Sequence, residues 1–477
     1  MSKNSSLYEF LINHAKSDPV SFHMPGHKGS RLYRSLGYGD FLDHMMDCDV
    51  TEIVGADNLF QTEGVLMEVE NRYAKLYGAK RSYLQVNGSS GGIIAAILAT
   101  VPKGKKIIMA RNCHKSVFNA LVLGDVQPLY AYPEMMDEYG ISGPVPAKEI
   151  ERLLAENDDA AAVILPSPNY YGICSDVKAI SRIVHRYNKV LIVDQAHGAH
   201  LKFFHRFGIS GFPKSAEESG ADIVINSIHK TLASFTESAL LNVLSHRVDL
   251  DVLEDKLQAV QTTSPSYLLM ASLDINAAII EDYGPTLFSQ WADNLNYFYQ
   301  KAAETPKLSY MARGKSFDWS KMNFSLGKLG ISGGELEQIL IKEYGIFIEL
   351  YTGSWVMCMS GIGNSGEDME RLISALRKIA QRTPAGPSSL AATEKEVKVP
   401  LIPQTMREIP RTKVRVPLAR AADKTCASSI IPYPPGIPFI CPGEVITREA
   451  AAYIRSLRDQ GEKVIGVNDR GEIFVGK

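Results

Sequence analysis

A chain of 477 residues with 22% charged side chains and a formal net charge of −2 has no bulk field to draw it to nucleic acid or an anionic membrane, so any charged partner is recognised locally. At this length it can bury a large core and divide into about two to four domains. The six cysteines, Cys48, Cys113, Cys174, Cys358, Cys426 and Cys441, have no C-x-x-C pair and no metal-type spacing with histidine, so no metal site is expected and they read as reduced thiols of a cytoplasmic protein.

The N-terminal stretch MSKNSSLYEFLINH lacks the basic-then-apolar build of a signal peptide. The longest apolar runs, such as GGIIAAILATV at 91 to 101, fall short of the ~20 residues of a membrane span, so no membrane partner is expected. Residues 1–50 read as an N-terminal arm and 51–285 as a large domain. Within the latter, SYLQV (82 to 86), KKIIMA (105 to 110), AAVILP (161 to 166), KVLIVD (189 to 194), DIVINS (222 to 227) and ALLNVL (239 to 244) alternate with helical patterns. Runs that are continuously apolar suit strands buried on both faces, which predicts an α/β fold with a mostly parallel sheet. Ligands gather at the carboxyl ends of such strands.

A longer helical stretch near 285 to 305 opens a smaller α/β domain at 286–382, with MNFSL, IFIEL and WVMCMS as strands. Residues 383–396 have linker composition, and 397–477 form a C-terminal domain.

Four motifs carry chemistry. VNGSSGGIIAAI (86 to 97) is a strand, a turn of small residues and a helix start; N–H groups from Gly88 to Gly91 with the hydroxyls of Ser89 and Ser90 suit a monophosphate, and a plain glycine-rich turn is the alternative. In RNCHKSVFNAL (111 to 121), His114 follows a strand and can stack on a flat ring or simply start a helix. In VDQAHGAH (193 to 200), Asp194 ends a buried strand, where a carboxylate needs a partner such as a pyridinium nitrogen, or else caps the next helix. His197 can reach a phenolic oxygen or be a core histidine. In NSIHKTLASFTES (226 to 238), Lys230 follows a strand, where desolvation favours the neutral amine that attacks an aldehyde, and Ser227 and His229 can add phosphate contacts. One cofactor, pyridoxal 5'-phosphate, accounts for all four in order.

These motifs, with HMPGHKGS (23 to 30), DVTEIVGADNLF (49 to 60), TTSPSYLLMASLD (262 to 274) and PYPPGIPFICPGE (432 to 444), resemble the bacterial ornithine/lysine/arginine decarboxylase family of fold-type-I pyridoxal phosphate enzymes, in the short form without the extra N-terminal domain. The resemblance implies that Lys230 is the Schiff-base lysine, Asp194 the pyridinium partner, His114 the stacking residue, and His197 a neighbour of the phenolic oxygen. Gly88, Ser89, Ser90, Gly91, Ser227 and His229 would hold the phosphate. It also implies a homodimer or higher homo-oligomer with sites at the subunit interface, and loss of carbon dioxide from a basic L-amino acid, in the order arginine, lysine, ornithine. Selectivity for a cationic side chain is expected from Asp49, Glu52, Asp57 and Glu444 at the pocket mouth. Two positions depart from the family pattern: Gln195 where a glutamate is common, and Glu237 where a neutral residue is usual. Glu237 is a further candidate for substrate contact. The rival readings are an aminotransferase or carbon–sulfur lyase on the same fold, and a non-catalytic relative that binds a partner.

Overall fold

The computed structural model describes residues 6–383, 409–433, 438–459 and 461–477. Residues 384–396 of the expected linker and residues 434–437 of the PYPPGIPFICPGE segment lie outside the described residues.

Seven strands form the central sheet: β1 (Arg81–Gln85), β2 (Lys106–Ala110), β3 (Gln127–Ala131), β4 (Ala160–Pro166), β5 (Val190–Asp194), β6 (Ile223–Asn226) and β7 (Ala239–Val243). Their order is β1-β7-β6-β5-β4-β2-β3. The five strands from β6 to β3 run parallel, and β7 is antiparallel to both β6 and β1. All four residues of β6 and all five of β7 are buried, as continuous apolar runs require. The sequence pattern anticipates six of these strands but not β3, an edge strand whose Pro128 is tolerated because its outer side has no sheet partner.

Register decides where chemistry can occur. Pro166 lies opposite Asp194, and Asp194 opposite Ile225, so the carboxyl ends of β4, β5 and β6 finish together at one edge. Helix α1 (Gly88–Thr100) starts just after β1, and α2 (Lys115–Gly124) just after β2. A 37-residue helix, α3 (Tyr267–Ala303), begins at Ser266, whose hydroxyl accepts the Leu269 N–H, and runs through Pro285. It leads to a four-stranded antiparallel sheet of residues 309–310, 321–325, 355–359 and 350–352 in that spatial order. The N-terminal residues Val20–Phe22 pair in parallel with Ile346–Ile348. The last part has its own core around Ile430, Ile440, Ile446, Ile454 and Ile473, between the strand pair 413–417 and 472–476 and the helix Arg448–Asp459. Among the described residues no helix is long and apolar enough to cross a membrane, and no cysteine is paired.

Candidate active site

A cleft opens at the carboxyl edge of the central sheet, lined by Ser89, Asn112, His114, Pro166, Asp194 and Lys230 among others. Pro166 and Asp194 end β4 and β5, while Ser89 follows β1, Asn112 and His114 follow β2, and Lys230 follows β6, so all stand at the carboxyl edge that the register creates. Lys230 lies in a short helical turn, Ile228–Thr231, that follows β6. Its Nζ is 2.9 Å from His197 Nε2. Burial pushes the ammonium's pKa down and the charge of Lys321 adds to this, while Asp194 and Glu349 pull it back up. His197 is itself buried and held well below the usual histidine range, first by desolvation and then by the charge of Lys230, so its Nε2 accepts a hydrogen bond from the amine or, from the other tautomer, donates one. Tyr170 lies against it with ring centroids 4.7 Å apart.

Asp194 is 6% exposed and accepts the Ala196 N–H at 3.1 Å. Desolvation raises its pKa against the opposing charge of Lys230. His114 is the N-cap of α2, with Nδ1 accepting from the Ser116 N–H at 3.3 Å, and its ring lines the cleft. Burial, with help from Lys230, pushes it down to about 3, so it is a neutral flat ring. Ser227 Oγ donates to Ser89 Oγ at 2.9 Å, joining two residues 138 positions apart. The N-terminus of α1 beside them has no side-chain cap, which leaves its first N–H groups for an anion. Gly88 has φ +67°, a conformation that favours glycine, and with Ser90 and Gly91 it belongs to this first turn of α1. His229 pairs Nδ1 with the Ser238 carbonyl at 2.9 Å, and burial pushes it down to about 4; its Nε2 is then an acceptor, and phosphate contact from it needs the ring to take up a proton.

The acidic candidates divide. Glu237, Asp49 and Glu52 are exposed and do not line the cleft. Asp57 is committed locally: its Oδ2 accepts the N–H groups of Gly64 at 2.7 Å and Leu66 at 2.9 Å, capping helix Val65–Tyr77. Glu444, expected at the mouth, is fully buried, ion-paired with Arg111 at 3.1 Å and bonded to the Cys441 N–H at 2.8 Å. Gln195 faces away from the cleft, into a buried amide cluster: its Nε2 donates to Glu217 at 2.8 Å and Asn226 at 2.9 Å, and its Oε1 accepts the Ala216 N–H at 2.6 Å.

Sequence reasoning misses Asn112, Tyr170 and Glu349. Glu349 accepts the Met24 N–H at 3.0 Å and lies within electrostatic reach of Lys230, Lys28 and Lys321. A charged residue set inside the apolar run IFIEL, between Ile348 and Leu350, is the signal that could have marked it. The HMPGHK segment packs on the lysine turn of its own chain, the Gly26 N–H donating to the His229 carbonyl at 2.7 Å. A Cβ on Gly26 would lie 2.3 Å from the Thr231 carbonyl carbon, so only glycine permits the approach.

Two buried polar atoms near the cleft, His197 Nδ1 and Asn112 Oδ1, have no hydrogen-bond partner. Orphaned polar atoms beside a buried carboxylate, a desolvated lysine and an uncapped helix end form a donor and acceptor set that fits pyridoxal phosphate. When bound, that cofactor supplies an aldehyde for an amine and a ring that draws electrons from the α-carbon of an amino acid.

Residues 5–318 match the Orn/Lys/Arg decarboxylase major domain and residues 391–470 its C-terminal domain. Arginine decarboxylase of Bacillus subtilis is 33% identical over 475 residues, covering 97% of this chain and 95% of the relative. Arginine decarboxylase of Halalkalibacterium halodurans is 32% identical over 482 residues, covering 98% and 96%. In fold the chain is similar to the lysine decarboxylase of Francisella novicida, with a TM-score of 0.76 at 22% identity, covering 98% of this chain and 80% of that one. The chain belongs to the Orn/Lys/Arg decarboxylase family of pyridoxal phosphate-dependent carboxy-lyases.

Proposed function

We propose that the enzyme decarboxylates a basic L-amino acid, with arginine preferred over lysine and lysine over ornithine, and that Lys230 is the residue that holds the cofactor between turnovers. The observation that carries this reading is the placement of a desolvated Lys230 amine 2.9 Å from His197, in a cleft shared with Asp194 and His114. Asp194 keeps a proton on the ring nitrogen, His114 fixes the ring plane, and Ser89, Ser227 and the α1 N-terminus hold the phosphate. The ranking of arginine rests on the arginine decarboxylases that align over nearly the whole chain.

We assign the substrate's distal cation to Glu349, which is partly buried, accepts the Met24 N–H at 3.0 Å and lies within electrostatic reach of Lys230, although it stands outside the cleft lining of the single chain. Asp49, Glu52 and Glu237 are exposed on the single chain, and we assign them a role only in a homodimer that brings one chain's surface to its neighbour's cleft. Unpaired thiols accord with a cytoplasmic location.

The test is release of carbon dioxide from arginine, lysine and ornithine by the cofactor-loaded protein. Turnover in that order is expected, and no turnover of any of the three would overturn the reading. In Lys230→Ala the visible band of the lysine-bound cofactor should vanish, with activity falling at least about a thousandfold.

A further inference from the structure

An ion pair that never reaches the cleft lies beside it. Lys321, the first residue of the 321–325 strand, is fully buried, and its Nζ donates to the His197 carbonyl at 2.6 Å, to Asp318 Oδ2 at 2.9 Å and to Ser320 Oγ at 3.3 Å. Three donors meet three acceptors, which saturates the ammonium. Asp318 is also fully buried, and its carboxylate accepts the Ser320 N–H and lies 3.1 Å from His200 Nε2. With that ring N–H turned to Asp318, His200 Nδ1 accepts from the Thr231 hydroxyl at 3.1 Å. Thr231 is the next residue after Lys230. An unbroken chain of polar contacts therefore runs from the four-stranded sheet to both partners of the Lys230–His197 contact.

Burying such charges costs desolvation that apolar residues of the same volume would avoid, so a buried ion pair is weak evidence for stability and stronger evidence for specified geometry. None of Lys321, Asp318, His200 or Thr231 lines the cleft. We propose that Lys321, Asp318 and His200 are positioning residues that lock the His197 carbonyl and the Lys230 turn to the four-stranded sheet, and so set where the lysine amine stands relative to the imidazole. The inference rests on the reading of Lys230 as the reacting amine. The electrostatics agree: the charged groups acting on Lys230 are Asp194 and Glu349, which stabilise its ammonium, and Lys321, which opposes it.

Hydrogen exchange on the cofactor-free protein tests the lock without reference to activity. The Lys230 and Leu232 amides bond to the Ser227 and Ile228 carbonyls, so their exchange reports opening of the turn. Thr231→Val keeps the side chain's shape and removes the hydroxyl; these amides should exchange roughly tenfold faster, the scale of one lost buried hydrogen bond, while β4 and β5 exchange as before. Thr231→Ser should restore the parental rate. The double substitution Lys321→Met with Asp318→Asn removes both charges together and leaves no lone buried ion. It should loosen the same turn and, once loaded with cofactor, lower kcat about ten- to a hundredfold with KM little changed. Parental exchange in Thr231→Val, or parental exchange and kcat in the double variant, would overturn the proposal. Persistence of the cofactor band in Lys230→Ala would instead sink the assignment of the lysine and leave the exchange result standing.

Discussion

Asp194 and Gln195 are adjacent in the chain and live in opposite circumstances. Asp194 faces a cleft in which buried polar atoms, His197 Nδ1 and Asn112 Oδ1, lack partners. Gln195 faces a cluster in which its own amide is fully used: Glu217 accepts from Gln195, from Asn226 at 2.8 Å and from Asn242 at 3.3 Å, and Ser82 in turn donates to Asn242 at 2.7 Å. The same split recurs one strand away, where Asn226 joins the satisfied cluster and Ser227 donates to Ser89 of the cleft. Buried polar groups that are completely paired specify the fold, and unpaired ones that also belong to cleft-lining residues, as His197 Nδ1 and Asn112 Oδ1 do, suit a ligand that completes them. The departure at Gln195 thus belongs to the fold side of this division, with Glu217 supplying the cluster's acid.

The comparison can be broken by substitution on either side. The largest effect is expected from Asp194→Asn, which removes the carboxylate we propose as the partner of the cofactor's ring nitrogen: kcat/KM should fall about 10²- to 10³-fold with the melting temperature little changed. Ser227→Ala should weaken cofactor affinity roughly ten- to a hundredfold, the scale of a hydrogen bond to a charged group, measured as Kd by titrating the cofactor-free protein. On the other side, Gln195→Glu should cost about 2–3 kcal/mol of stability at neutral pH, because it sets a second carboxylate against Glu217. The sign with pH follows from linkage: the new acid's folded pKa lies above its unfolded value of about 4.3, so the deficit is smallest below that pH, where the protonated acid still lacks one of the amide's two N–H donors, and grows as pH rises through and beyond it. Melting curves from pH 4 to 8 check this, and a deficit that is constant with pH would refute it. The smallest effect is expected from Glu237→Gln, less than about twofold in the ranking of arginine over lysine, since Glu237 is exposed and outside its own chain's cleft; a larger shift would show that a homodimer brings it to the neighbour's cleft.

The parts legible in the sequence are those fixed by local pattern. Strands buried on both faces announce themselves as unbroken apolar runs, and the residues just after them, Asp194 and Lys230 among them, are where a parallel sheet exposes side chains. Edge strand β3 was hidden because Gln127 and Pro128 interrupt the run, and an edge can afford both. The antiparallel sense of β7 has no local signature. Where Glu349, Lys321 and Glu444 come to lie was illegible for a different reason. Their partners, Met24, His197 and Arg111, lie more than a hundred residues away, and only the assembled fold brings them together.

Strand β1 sits at the edge of the central sheet, and its one sheet neighbour is β7, made some 150 residues later in the chain. Ser89 follows β1 and Ser227 precedes β7, so the two halves of the anion cradle meet only after the most sequence-distant strand pairing of that sheet has closed. Pairings across such long loops come late in folding because their entropy is lost before their contacts form. On the proposed phosphate role of Ser89 and Ser227, we expect a refolding chain to take up the cofactor only once this pairing has closed, so that uptake reports a finished sheet.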